Sequence, residues 1–112
     1  MKLKNPLDAG RTRIKNKILG KKYELSLVLA KDALMRRLNR TYRGKDKSVN
    51  VLAFPLSKTS GEIFINPARV EPFGTKHLFV HALLHLKGMR HGAKMNKVEQ
   101  QLLNGASNRS RR

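Results

Sequence analysis

The sequence contains no cysteine and no tryptophan, and aromatic residues make up only 5% of its 112 residues. The lack of cysteine excludes disulfides, thiolate zinc fingers, iron–sulfur clusters and cysteine nucleophiles, so any metal must be bound by histidine or carboxylate. Apolar runs such as Leu27–Ala30 fall far short of the roughly 20 residues that a membrane helix needs. Residues 1–6 lack the apolar stretch of a secretory signal. We therefore expect a cytoplasmic protein with no membrane and no disulfide-linked partner.

Acidic residues are scarce as well: seven Asp and Glu stand against 25 Lys and Arg, a formal net charge of +18. Positive charge in this excess repels itself unless a polyanion relieves it, which argues against an ordinary small-molecule enzyme. We predict a nucleic-acid partner whose binding weakens steeply with salt. A membrane-surface role or a basic ribosome-type protein is the alternative.

The chain length fits one small domain. Hydrophobic periodicity and the placement of Pro, Gly and capping residues predict its elements. These are helices over 6–19, 32–42, 75–87 and 94–103, and strands over 23–29, 50–56 and 62–66. In the second helix, Leu34, Leu38 and Tyr42 form the predicted inward-facing stripe. The interleaved order favours a mixed α/β or α+β domain over residues 1–104, with a basic N-terminal helical segment over 1–22 and a disordered basic tail over 105–112.

The predicted helix 75–87 is apolar almost all round, which is typical of a helix at the centre of a fold. It carries His81 and His85 one turn apart on one face, and Gly88 lets the chain turn so that His91 can reach the same point. Three imidazoles leave a fourth coordination position open, as in catalytic zinc sites, although nickel and copper also accept imidazole. The alternative for this pair is packing without a metal. We expect a packing role for His77, with an outer contact to the metal site or a contact to the substrate as the alternative.

The residue after the first of these histidines is Ala82. Zinc proteases with similar histidine spacing place their general-base glutamate there, and alanine cannot accept a proton. Three neutral ligands would also leave the charge of a dication uncompensated. The sequence therefore favours an anionic substrate such as a phosphodiester over a peptide.

Two separated parts of the chain resemble one family. They are residues 38–47 (LNRTYRGKDK) with 50–56 (NVLAFPL) and Gly61-Glu62-Ile63, and the block 77–91. Both resemble the YbeY family of rRNA maturation factors, metal-dependent endoribonucleases that act on single-stranded RNA. Their signatures read HGxLHLxGxDH and YRGKD followed by VLSFP, and the resemblance covers about residues 23–103. It implies an α+β fold in which a mixed sheet of three to four strands packs against a central metal-binding helix and flanking helices.

The resemblance also implies the residue roles and the cofactor. The metal ligands would be His81, His85 and His91, holding one zinc ion, with nickel or another divalent metal as the alternative. Arg43 and His85 would be catalytic. Arg43 would also bind the substrate, and we expect the outward-facing Arg36 and Arg40, together with Arg90 beside the metal, to hold the RNA backbone.

The implied function is a zinc-dependent, single-strand-specific endoribonuclease in rRNA maturation. It includes processing of the 16S rRNA 3′ end and ribosome quality control, with rRNA and the ribosome or its small subunit as partners. The sequence departs from the family pattern at Arg90, where the family has Asp, at Ala82, where it has Gly, and at Glu62, where Asp is usual. The N-terminus is also shorter than the family's, and the segment between Ile65 and Thr75 is abbreviated. Arg90 and the short N-terminus favour the alternative, a non-catalytic, zinc-stabilised RNA-binding or ribosome-assembly factor. The few aromatics predict weak sequence preference.

Overall fold

The computed structural model describes the backbone of residues 8–110 and the side chains of residues 8–104. This part of the chain forms four helices and three strands, with a short 3-10 helix at Pro67–Arg69. They are α1 (Ala9–Leu19), β1 (Glu24–Leu29), α2 (Asp32–Arg43), β2 (Val51–Ser57), β3 (Ser60–Ile65), α3 (Thr75–Leu86) and α4 (Ala93–Ser110). None of the helices in the described ranges is long and apolar enough to cross a membrane.

The sheet has the order β1–β3–β2 and is mixed. Strand β3 pairs in parallel with β1, placing Ile63 opposite Leu27, and antiparallel with β2, placing Ile63 opposite Ala53. The predicted α+β class with a mixed sheet is confirmed, at three strands in the described residues. The second strand, predicted over 50–56, runs from Val51 to Ser57 and has an irregular register after Pro55. A proline is tolerated because β2 lies at the edge of the sheet.

Side chains alternate between the two faces of the sheet and build a core on each. One face carries Leu25 and Leu27 of β1 and packs against α3, α1 and α4. The other carries Val28 and packs against α2, whose Met35 is fully buried. Helix α3 is buried along most of its length, with Phe79 among the largest enclosed side chains. The central position predicted for this helix is therefore confirmed.

Helix α2 presents a different face to the core from the one we predicted. Met35 and Asn39 are buried, whereas Leu34 and Leu38 are half-buried and Tyr42 is 66% exposed. The predicted inward orientation of Tyr42 is thus wrong. Asn39 can be buried because its side-chain amide donates a hydrogen bond to the carbonyl of Lys47, at 2.9 Å.

Three helix boundaries differ from the prediction. Helix α1 begins after Asp8, whose carboxylate accepts a hydrogen bond from the backbone of Arg11 at 2.8 Å, and the predicted start at Pro6 lies outside the described residues. Helix α3 begins at Thr75 as predicted and ends at Leu86, one residue earlier than predicted. Helix α4 continues to Ser110, past Gly105, since a glycine inside a helix costs only about 1 kcal/mol relative to alanine. The domain boundaries, including the disordered tail over 105–112, remain predictions.

Candidate metal centre

Helix α3 places two of the predicted ligands side by side. His81 and His85 are half-buried, and their Nε2 atoms face each other at 3.1 Å. Nitrogens bound tetrahedrally to zinc at 2.0–2.1 Å lie about 3.3 Å apart. The pair is therefore spaced as two ligands of one ion would be. This orientation is fixed by the opposite side of α3, where Phe79 and Leu83 are buried against the sheet.

The turn after α3 brings the third histidine to the same point. Gly88 adopts a positive φ of 102°, which favours glycine, and the backbone of Met89 donates a hydrogen bond to the carbonyl of Leu84 at 3.0 Å. His91 then lies exposed, with its ring centroid 4.5 Å from that of His85. One ligand nitrogen from each of the three histidines lies within 4.8 Å of the others. The cluster could hold a metal ion, and its exposed side leaves room for a substrate or water ligand.

The first two histidines are oriented by partners on their other ring nitrogen. His81 Nδ1 donates to the carboxylate of Glu99 at 2.7 Å, and His85 Nδ1 donates to the carbonyl of Met89 at 3.1 Å. Both acceptors lack a proton to give, so each Nδ1 carries a hydrogen, and Nε2 is the nitrogen of each ring that can bind a metal. Burial, reinforced by the nearby charge of His81, lowers the pKa of His85 and favours the neutral imidazole that binds metals.

Glu99 was missed by the sequence reasoning. It lies in α4 and is only 5% exposed, and its second carboxylate oxygen accepts a hydrogen bond from His77 Nε2 at 2.9 Å. His77 itself packs edge-on against Phe73, with ring centroids 5.3 Å apart. The sequence does carry one indication of this role. Glu99 lies four residues after the apolar Met95, on the same face of the helix, and a carboxylate on a buried face needs a partner.

Arg43 shares an open cleft of about 670 Å³ with the three histidines. It is the last residue of α2 and is exposed, and Gly44 ends the helix in a left-handed conformation. The charge of Arg43 acts on His85, where it contributes to the lowered pKa of that histidine. Strand β2 forms another wall of the cleft.

The other predicted substrate-binding arginines lie apart from this cleft. Arg36 and Arg40 line a separate groove along the outer side of α2, and both contact Asp46. Arg36 makes the closer ion pair, with Nε to Oδ1 at 2.9 Å and Nη2 to Oδ2 at 3.1 Å. Arg90 is exposed and next to His91 in the chain but does not line the cleft. Of the four arginines, the structure brings only Arg43 together with the histidines.

Two aromatic side chains lie on the rim of the same cleft. Tyr42 is 66% exposed and contacts Phe54 edge-on, with ring centroids 5.3 Å apart. Phe54 in turn packs against the buried Phe64 at 5.8 Å. This chain of rings holds Tyr42 in place while leaving much of its surface open to a ligand.

Comparison with known proteins agrees with these features. The sequence profile described as Endoribonuclease YbeY matches residues 7–107. The chain is 34% identical over 105 aligned residues to a protein named Endoribonuclease YbeY from Neorickettsia sennetsu, covering 75% of this chain and 73% of that relative. It is also 34% identical over 105 residues to the protein of that name from Rhizobium etli strain CIAT 652, covering 77% and 60%. For the relative of the same name from Anaplasma marginale strain Florida, the identity is 33% over 92 residues, covering 69% and 60%. The chain thus spans only about 60% of the length of several of these relatives.

Proposed function

This chain belongs to the endoribonuclease YbeY family, and on that basis we propose that it is a metal-dependent endoribonuclease of single-stranded RNA that acts in rRNA maturation. The observation that carries the proposal is the convergence of His81, His85 and His91 in one cleft with Arg43. Cleavage of a phosphodiester at such a site would need nitrogen ligands for a metal, an open coordination position and a cationic side chain, here Arg43, that can bind the phosphate.

The three imidazoles suit zinc, which we propose as the resident ion, with nickel or another divalent metal as the alternative. A divalent ion held there supplies Lewis acidity toward a phosphoryl oxygen and lowers the pKa of water. Hydrogen bonds from Nδ1 of His81 and of His85 to their outer partners keep both rings aimed at one point. The site is therefore organised before the substrate arrives.

Arg43 binds the scissile phosphate in this proposal. Its planar guanidinium can donate two parallel hydrogen bonds to phosphate oxygens and stabilise the charge that develops during cleavage. Among the described residues it forms no ion pair, whereas Asp46 engages both Arg36 and Arg40. Arg43 and His85 are thus the proposed catalytic pair, and Arg36, Arg40 and Arg90 are proposed to contact the RNA backbone outside the cleft.

The rim of the cleft supports a single-stranded substrate. The exposed face of Tyr42, backed by Phe54, offers a stacking surface next to Arg43. Bases in single strands can turn out and stack on such rings, whereas paired bases in a helix cannot. Stacking of this kind accepts any base, which agrees with weak sequence preference.

The basic surface supports a large RNA partner. The groove beside α2 is lined by Lys31, Arg36, Arg37 and Arg40, and the whole chain carries a formal charge of +18. Each phosphate contact releases counterions, so affinity falls with salt. We propose rRNA at the ribosome or its small subunit as the substrate, the 16S 3′ end and ribosome quality control as the setting, and the cytoplasm as the location.

The decisive experiment measures cleavage of a fluorescently labelled single-stranded RNA by the metal-loaded protein. His85→Ala and Arg43→Ala should lose cleavage, and Arg43→Ala should keep its bound metal. Arg37→Ala is the matched control, because this arginine is on the same helix and outside the cleft. It should retain the wild-type kcat, and any effect should be confined to KM, because Arg37 lines the basic groove but not the cleft. A wild-type protein that binds the RNA without cutting it would favour the non-catalytic RNA-binding or assembly factor, which the replacement of the family's Asp by Arg90 supports.

Elemental analysis of the purified protein tests the metal directly. We expect about one equivalent of zinc in the wild type and a marked loss in His91→Ala, since each histidine supplies one of the three ligands. A wild-type protein that takes up no divalent ion would contradict the metal centre.

A further inference from the structure

Glu99 is the one buried acidic residue in the part of the chain whose side chains are described. Burying a carboxylate is costly unless it is hydrogen-bonded and its charge is balanced. Its two oxygens accept hydrogen bonds from His77 Nε2 at 2.9 Å and His81 Nδ1 at 2.7 Å. Both oxygens are therefore hydrogen-bonded, and a cation close by would balance the charge of the carboxylate.

The geometry of α3 offers a place for such a cation. His77, His81 and His85 follow one another at intervals of one turn on a single face of α3. Glu99 links the first two, and Nε2 of His81 faces Nε2 of His85 at 3.1 Å. A cation between these nitrogens would be separated from the carboxylate only by the His81 ring.

We propose that Glu99 is the positioning carboxylate of the metal centre, and that His77 anchors it. Glu99 fixes the protonated Nδ1 and the ring plane of His81, so that Nε2 points at the ion, and its charge strengthens His81 as a ligand. His77 holds the other oxygen and keeps the carboxylate from rotating. This inference rests on the proposed metal centre and assigns it a residue from a different helix.

A purely structural role is the competing explanation, since the same hydrogen bonds tie α4 to α3. The two explanations predict different measurements. A structural cross-link would lower the stability of the metal-free protein and leave the affinity of the folded protein for metal unchanged. A positioning carboxylate changes the affinity itself.

The test compares zinc affinities, measured by chelator competition, for the wild type, Glu99→Gln and Glu71→Gln. Glutamine keeps the shape of Glu99 but removes its charge, and outer partners of this kind contribute about 10–100-fold to metal affinity. We expect a loss in that range for Glu99→Gln. The matched control Glu71→Gln, the same substitution at an exposed site, should bind zinc as the wild type does. The visible spectrum of the cobalt-loaded protein should also change in Glu99→Gln alone.

Two further measurements complete the test, namely the thermal stability of the metal-free variants and the zinc affinity of His77→Leu. Thermal unfolding of each metal-free variant separates stability from affinity. His77→Leu leaves Glu99 in place without its anchor and should weaken zinc binding less than Glu99→Gln does. Wild-type zinc affinity in a folded Glu99→Gln protein, or in His77→Leu should Glu99→Gln fail to fold, would overturn the proposal. A wild-type protein that binds neither zinc nor cobalt would instead overturn the metal centre, and this inference with it.

Discussion

Lys15 is a buried cation that is unavailable to RNA. It is 6% exposed, and its ammonium donates hydrogen bonds to the carbonyls of Gly20, Lys21 and Tyr23 at 3.1, 3.2 and 2.8 Å. The ammonium thus ties the end of α1 to the start of β1, where the negative end of the helix dipole also favours a cation. The substitution Lys15→Met keeps the length of the apolar stem and removes only this charged group.

The expected loss of stability depends on which carbonyls can replace the lost ammonium with water. Gly20 is half-buried and Lys21 is exposed, so water can replace the ammonium there, whereas the bond to the carbonyl of Tyr23 is buried. A hydrogen bond to a charged group contributes about 1.5–3 kcal/mol, so we expect Lys15→Met to lower the free energy of unfolding by about 2–3 kcal/mol. For a domain of this size, the melting temperature should fall by about 10–20 °C.

The assay is thermal unfolding followed by circular dichroism, with Lys17→Met as the matched control. Lys17 lies on the same helix and is exposed, so its substitution should change stability by less than about 0.5 kcal/mol. Below its melting temperature, Lys15→Met should bind RNA with the same salt dependence as the wild type. Equal stability of the two variants would refute the role of the three carbonyl contacts.

Three further predictions concern the core, the response to acid and the rim of the cleft. A Cβ at Gly61 would collide with the hydroxyl of Tyr23, which has no hydrogen-bond partner among the described residues. Gly61→Ala should therefore lower the free energy of unfolding, measured with denaturant, by about 1–3 kcal/mol. Adding Tyr23→Phe should restore much of that loss. The hydrogen bond from Arg69 is the main cause that lowers the pKa of Asp32 from 3.8 to about 2. This carboxylate therefore stabilises the fold above pH 3.8, an effect lost as the pH falls toward 2, and unfolding of Asp32→Asn should depend less on pH in that window. Tyr42→Leu should raise KM for single-stranded RNA, Tyr42→Phe should not, and equal KM values would remove stacking from the proposal.

The sequence was sufficient to predict the element types and their order, because apolar periodicity and cap residues act locally. It was insufficient for the orientation of α2. Leu34 and Leu38 suggested one face, but the buried face is centred on Met35 and includes Asn39. A polar side chain becomes a core residue when a distant backbone group satisfies it, here the carbonyl of Lys47. Hydrophobic patterns do not register such a partner.

The residues of the site also fall into those that local sequence features predict and those that only tertiary packing brings together. Histidine spacing on one helix and a glycine turn are local features, so the cluster of His81, His85 and His91 followed from the sequence. Glu99 contacts this cluster from α4, and its hydrogen bonds form only when α3 and α4 pack together. The arginines of α2 combine a local and a non-local feature. Their outward direction was predictable, but whether each lies at the histidine cleft depends on how α2 crosses the sheet.

The small number of carboxylates leaves most of the positive charge of this chain available to a polyanion. Four of the seven acidic residues make specific contacts: Asp8 caps α1, Asp32 accepts a hydrogen bond from Asn66 at the end of β3, Asp46 pairs with arginines of α2, and Glu99 accepts hydrogen bonds from histidines of α3. Because seven acidic residues stand against 25 Lys and Arg, positive charge remains in large excess and repels itself in the free protein. A ligand that binds only the folded state raises its stability. Phosphate-rich RNA would therefore relieve the repulsion and stabilise the fold, so that substrate recognition and folding stability depend on the same uncompensated charge.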